Sequence, residues 1–179
     1  MIEKPFLYGN IKLDEAALRS AFLYNLNKIH PVLLHLVEHL PGLANETCYG
    51  DLQNAIQELL SEVIIHLNRI NTIFLQLKTV PDNKKSLAQT RILEILLPDR
   101  EEYLSDPLSK DLFLVFHIQK ILNIKRNYFY ILKSISGSLN NIDIKKYLQH
   151  CYDECEDNQL MFRLIAKEYM ESSINTFLS

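Results

Sequence analysis

Residues 52–77, "LQNAIQELLSEVIIHLNRINTIFLQL", decide how the chain folds. Leu52, Ile56, Leu59, Val63, Ile70, Ile73 and Leu77 follow one another at alternating steps of four and three, which puts one side chain per turn on a single face of an α-helix. His66 is the one polar residue in that series, and Glu62 lies one turn before it at the polar border. The spacing predicts a helix from about Asp51 to Lys78. An apolar stripe of this length needs a partner surface, because leaving it in water is unfavourable.

The same spacing recurs three times. From Asp14, an expected N-cap with Glu15 behind it, to His39 the line is Phe22, Leu26, Ile29, Leu33, Leu36 and Leu40. Pro31 falls inside and deprives the Asn27 carbonyl of its donor, which predicts a bend over residues 27–31; Pro41-Gly42 is the expected stop. A third helix is predicted from Asp106 to Ser136 on Leu114, His117, Ile121, Ile124, Tyr128, Ile131 and Ile135. A fourth runs from Ile142 to Ser172 on Ile144, Leu148, Cys151, Cys155, Asn158, Phe162, Ile165 and Tyr169, with Gly137 and Asn141 as stop and N-cap between the two. After "TVPDNKKS" a shorter helical segment covers residues 86–97 and stops at Pro98-Asp99. No strand-like alternation competes. The expected fold is all-α, an antiparallel four-helix bundle with a short extra helix in the crossover between helices 2 and 3. Residues 1–179 then form a single domain, with an ordered core at about 14–172 and arms or tails at the ends.

Composition narrows the function. Apolar residues make up 47% of the chain and only 4 Gly and 6 Pro interrupt it, which favours long regular elements. With 19 basic against 22 acidic residues the net charge is -3, and the longest basic runs are pairs such as Lys84-Lys85 and Lys145-Lys146, so nucleic acid is not an expected partner. "MIEKPFLYGN" lacks the apolar core of a signal peptide, and no window reaches the roughly 18 apolar residues of a membrane span. A cytoplasmic protein is expected, with Cys48, Cys151 and Cys155 as free thiols.

Three stretches carry a family resemblance. Residues 26–43, "LNKIHPVLLHLVEHLPGL", follow without a gap the first-helix pattern of the YciE/YciF-like group of ferritin-like, stress-associated bacterial proteins. Residues 55–74, "AIQELLSEVIIHLNRINTIF", resemble its second helix and keep Ala55, Leu60, Glu62, His66, Arg69 and Phe74. "DECEDNQLMFRLIAKEYM", residues 153–170, is similar to its last helix, and "VFHIQK", residues 115–120, matches its third more loosely. The resemblance implies a ferritin-like bundle, a stress-associated role and a homodimer. It also implies a di-iron centre, which needs several carboxylates around the buried positive charge. Here the family's acidic positions correspond to Leu33, Phe116, Gln119, Cys155 and Gln159, none of them a carboxylate. A working di-iron site is therefore not expected.

Glu62, His66 and His117 remain as a two-His-one-carboxylate set that suits one Fe or Zn ion, with Cys155 as a fourth ligand and an oxidase-like activity. The competing reading is structural, a buried His66 hydrogen-bonded to a carboxylate one turn away, and it is preferred because pairing removes the cost of burying both groups. "HLVEH", residues 35–39, matches an inverted zinc-peptidase string, but the helix is expected to end two residues later, so a solvated face is the reading of His35, Glu38 and His39. In "HCYDEC", with His150, Cys151 and Cys155, the cysteines are read as small apolar filler. Arg126, Asn127, Tyr128, Phe129 and Tyr130 are read as core and rim rather than a base-stacking platform. The sequence thus points to a non-catalytic bundle with a degenerate metal site, acting through protein surfaces.

Overall fold

Asp14 starts the first helix as expected: its carboxylate accepts the Ala17 N–H at 2.6 Å, satisfying one of the donors a helix start leaves free. Asp106 does the same for Ser109 at 2.8 Å, with Pro107 at the first helical position, and the Asn141 side chain accepts from Asp143 and Ile144. These caps open α1 (Glu15–Glu46), α3 (Pro107–Ser136) and α4 (Ile142–Phe177); α2 spans Gly50–Gln76, and a 3-10 turn, Gly137–Leu139, separates α3 from α4. The computed structural model describes residues 14–82, 106–139 and 141–177, with side chains as far as Ser172. The helix expected over residues 86–97 lies outside the described residues.

Contacts at the two ends of the bundle set the directions of the helices. Arg19 near the start of α1 reaches the Leu77 carbonyl just past α2, and Asn141 before α4 meets Gln76. At the other end, Asp111 in the first turns of α3 accepts from the Cys48 and Tyr49 N–H groups before α2 and from the Tyr169 hydroxyl late in α4. So α1 and α4 run one way, α2 and α3 the other. The main packing pairs are α1 with α2, α3 with α4, α1 with α3 and α2 with α4, and each joins antiparallel neighbours. The end of α2 and the start of α3 therefore lie at opposite ends of the bundle.

The core fills with one side chain per turn from each helix. Phe22, Leu26, Ile29, Leu33, Leu36 and Leu40 of α1 face Leu52, Ile56, Leu59, Val63, Ile70 and Ile73 of α2, all buried as their spacing predicts. In α4 the expected line is buried at Ile144, Leu148, Cys151, Cys155, Asn158, Phe162 and Tyr169, with Ala166 taking the place of the half-buried Ile165. Burying a large aliphatic or aromatic side chain contributes about 1.5–3 kcal/mol, so these faces dominate the stability.

Two expectations are corrected. Helix α1 does not stop at Pro41-Gly42 but continues to Glu46. Pro41 removes one hydrogen bond, while Leu43 and Ala44 beyond it are buried, and the packing outweighs the local penalty. In α3 the buried line is rotated from the expected one: Val115, Ile118, Leu122, Lys125, Phe129, Leu132 and Ser136 join Leu114 and Ile121, whereas Ile131 is exposed and His117, Ile124, Tyr128 and Ile135 are half-buried. Apolar residues occur on most faces of this helix, so spacing alone does not choose among them.

Candidate polar core site

Halfway along the bundle the apolar layers give way to a polar one. Steps of four and three bring Glu62, His66 and Arg69 of α2 to the side that meets α4, and steps of three and four bring Cys151, Glu154 and Asn158 of α4 to meet them. The Glu154 carboxylate is the hub. Its Oε2 lies 2.6 Å from His66 Nε2 and 2.5 Å from Arg69 Nη1, and its Oε1 takes Arg69 Nη2 at 3.1 Å. Arg69 Nη1 also points at the Cys151 sulfur, 3.7 Å away. Asn158 donates to Glu62 Oε2 at 2.5 Å and to the Glu154 backbone carbonyl at 2.9 Å, tying the Glu62 carboxylate to the main chain of α4. Phe129 of α3 closes the layer edge-on to the His66 ring, with centroids 5.1 Å apart.

Helix α3 adds a charge that spacing did not predict. Lys125 is fully buried, and its Nζ has no hydrogen-bond partner among the described residues. Its positive charge acts on Glu62, His66 and Cys155. His66 Nδ1 is likewise buried without a partner among the described residues.

Burial and these contacts set the protonation states. Burial holds His66 neutral down to about 4, against which its bond to Glu154 works only in part. A neutral His66 donates from Nε2 to Glu154, leaving Nδ1 as a bare acceptor. Burial would raise the Glu154 carboxyl, but the hydrogen bonds from His66 and Arg69 prevail and hold it down at about 2. Glu62 is displaced the other way: burial raises it, opposed by Asn158. Burial also pushes the thiols up, Cys151 to about 12 and Cys155 to about 11, so both are protonated at neutral pH and neither is a nucleophile.

The residues singled out from sequence fall out as follows. The structural reading expected Glu62 and His66 to pair with each other; instead each finds its partner on α4, Asn158 and Glu154 respectively. His117 is half-buried on α3. Among the described residues, the one set of three metal-ligating side chains whose ligand atoms lie within 4.8 Å of one another is His66, Cys151 and Glu154, so Glu62, His66 and His117 are not gathered into such a set. Of the positions that the sequence resemblance aligns with the family's acids, Leu33 and Cys155 are fully buried and Phe116 is half-buried. Gln119 donates to the Phe162 carbonyl at 2.8 Å, and Gln159 donates to Asn123 at 2.9 Å. In "HLVEH" only Glu38 is on a solvated face: His35 is buried and stacks on the half-buried His39 with ring centroids 3.8 Å apart. Cys151 and Cys155 are core filler as expected. Of the aromatic group, Phe129 rather than Tyr128 is in the core, and Tyr130 is exposed.

Spacing did not single out Glu154 or Lys125. Glu154 is half-buried at the edge of its helix's apolar line, and a lysine among apolar neighbours reads as a break in the pattern rather than a member of it.

The family described as a domain of unknown function (DUF892) matches residues 17–175. The Escherichia coli stress protein YciF superposes with a TM-score of 0.75 at 16% identity, covering 86% of this chain and 97% of that one. YcfI of Rhodopseudomonas palustris gives 0.73 at 17% identity, with 88% and 98% covered. The conserved hypothetical protein rv2844 of Mycobacterium tuberculosis gives 0.56 at 7% identity, with 86% and 99% covered. At these identities the likeness is one of fold. Comparison with curated proteins gives no match. No helix among the described residues is long and apolar enough to cross a membrane.

Proposed function

Because the chain belongs to the DUF892 family and is YciF-like in fold, we propose that it is a ferritin-like bundle whose metal site is degenerate and which acts through its surfaces rather than by redox chemistry. Charge balance carries this reading. Two ferrous ions bring four positive charges, which a ferritin-like site offsets with several carboxylates. The polar layer here has two, Glu62 and Glu154, and two cations, Arg69 and Lys125, already stand against them, while His66 is neutral. Leu33, Phe116 and Cys155 fill volume with uncharged groups where the family pattern has acids. The residues present do not fit a di-iron centre. A single Fe or Zn on Glu62, His66 and His117 has less support, since their ligand atoms do not converge.

The surface that supports the other half of the reading lies on α4. Leu160 and Leu164 are more than half exposed and continue into the partly buried Met161 and Ile165, between Asp157 and Glu168. Apolar residues at this spacing on an outward helix face suit another helix. The occupant proposed for it is a second copy of the chain, because the family resemblance implies a homodimer as well as a stress-associated role.

The test is elemental analysis of protein purified from iron- and zinc-supplemented cells, together with a ferrous-oxidation assay. Far less than one metal per chain and no oxidation are expected. One or two irons per chain with turnover would overturn the reading. Light scattering of wild type and of L160E/L164E reads the surface: a dimer of the 20.9 kDa chain is expected for the first and a monomer for the second.

A further inference from the structure

The cluster of His66, Cys151 and Glu154 is a set of ligand types that zinc favours, held on two rigid helices. It lacks a vacancy. Arg69 Nη1 lies 2.5 Å from Glu154 Oε2 and 3.7 Å from Cys151 Sγ, and that same Oε2 is 2.6 Å from His66 Nε2. One guanidinium nitrogen thus touches two of the three ligand residues and shares an oxygen with the third. Arg69 side chain is only 22% exposed, so its charge is spent on this cluster rather than on water.

We infer that Arg69 occupies, with its own positive charge, the cation position of a latent zinc-type site made by His66, Cys151 and Glu154, so that the wild-type core excludes a divalent metal and loss of the guanidinium admits one. The ligand class is a borderline-soft divalent ion, Zn(II) or Co(II), held by one imidazole nitrogen, one thiolate and one carboxylate with water in the fourth place. Binding would release the Cys151 proton, and the ion's two charges would meet one thiolate and one carboxylate, a neutral set. Lys125 supplies the second built-in cation, on the α3 side, and balances Glu62. The inference rests on the metal-free reading of the core but makes a separate claim, that one side chain enforces it.

The experiment is a Co(II) titration of the purified full chain, wild type and R69A, followed by the thiolate-to-cobalt absorption band in the near ultraviolet and by thermal unfolding with and without Zn(II). R69A is expected to bind one Co(II) at least about tenfold more tightly than wild type, a gain of about 1.4 kcal/mol. Its band should vanish in R69A/C151S, and its midpoint should rise with Zn(II) where that of wild type does not. Arg69→Met keeps the aliphatic stem and its packing, and serves if the alanine variant does not fold. Equal affinity in wild type and variants, or a band that survives C151S, would overturn the inference. Metal that copurifies with wild type and is indifferent to C151S lies elsewhere and counts against the metal-free reading alone; the R69A comparison still decides this one.

Discussion

Asp111 and Glu154 are both carboxylates in the bundle, and they are held in opposite ways. Asp111, 1% exposed, accepts from the Cys48 and Tyr49 N–H groups and from the Tyr169 hydroxyl, all neutral donors. Two of those donors belong to the start of α2, whose Tyr49 N-cap offers no side-chain cap of its own. A carboxylate from α3 therefore caps α2, and the positive end of that helix favours its charge. Glu154 instead meets a full cation and an imidazole, beside a lysine and a ring nitrogen without partners among the described residues. The first carboxylate closes a fold by using every acceptor it has. The second belongs to a cluster whose polar groups outnumber their partners, which is what a site, rather than an anchor, leaves in a core.

The sharpest way to break the contrast is D111A. It removes the acceptor that the Cys48 and Tyr49 N–H groups and the Tyr169 hydroxyl share at the end of the bundle, and a loss of about 2 kcal/mol in unfolding free energy by urea titration is expected, with D111N costing about half as much. A loss below about 1 kcal/mol would show that Asp111 is no anchor. Acid titration comes next and separates the two regions. His66 is held neutral to about 4 in the folded protein and takes a proton near 6.5 in the unfolded chain. The unfolded state therefore binds more protons between those values. The His66 contribution is complete above pH 6.5 and is lost as pH falls towards 4, by about 2–3 kcal/mol across the window. Glu154, held down at about 2, adds a second loss as pH falls from about 4.5 towards that value. Urea midpoints between pH 4 and 7 should drop for wild type and stay nearly level for H66L, referenced to its own value at pH 7.

Smaller effects probe the surplus groups. Lys125→Met removes a buried ammonium that lacks a hydrogen bond among the described residues, so thermal unfolding should change by less than about 1 kcal/mol, in the stabilising direction. A large destabilisation would mean that the attraction to Glu62 dominates. Glu62→Gln keeps an acceptor for Asn158 and removes a charge whose burial is unfavourable, and a gain of a few tenths of a kcal/mol at pH 7 is expected from the same measurement.

The helices were legible because their apolar lines are clean where one face is plainly greasier than the rest. In α1, α2 and α4 the predicted lines are the buried ones almost residue for residue. In α3 they are not, because Ile121, Leu122, Ile124, Tyr128, Phe129, Ile131 and Leu132 surround the helix and only its neighbours pick the inward side. The polar site was half legible. His66 stood out as a break in an apolar line, and Glu62 as its nearest carboxylate, but a neighbour one turn away along the chain lost to Glu154, 88 residues on. Asp111 gave no signal at all, since an acid near a helix start reads as an ordinary solvated residue.

The order of residues was enough to determine the four long helices among the described residues and the caps of three of them, because periodicity and residue type are properties of the chain alone. Which way α3 turns, which carboxylate meets His66 and where Arg69 and Lys125 put their charge were decided only when the helices packed. Those choices depend on distances between helices, and in a desolvated core a partner at hydrogen-bonding distance outweighs any preference along the chain.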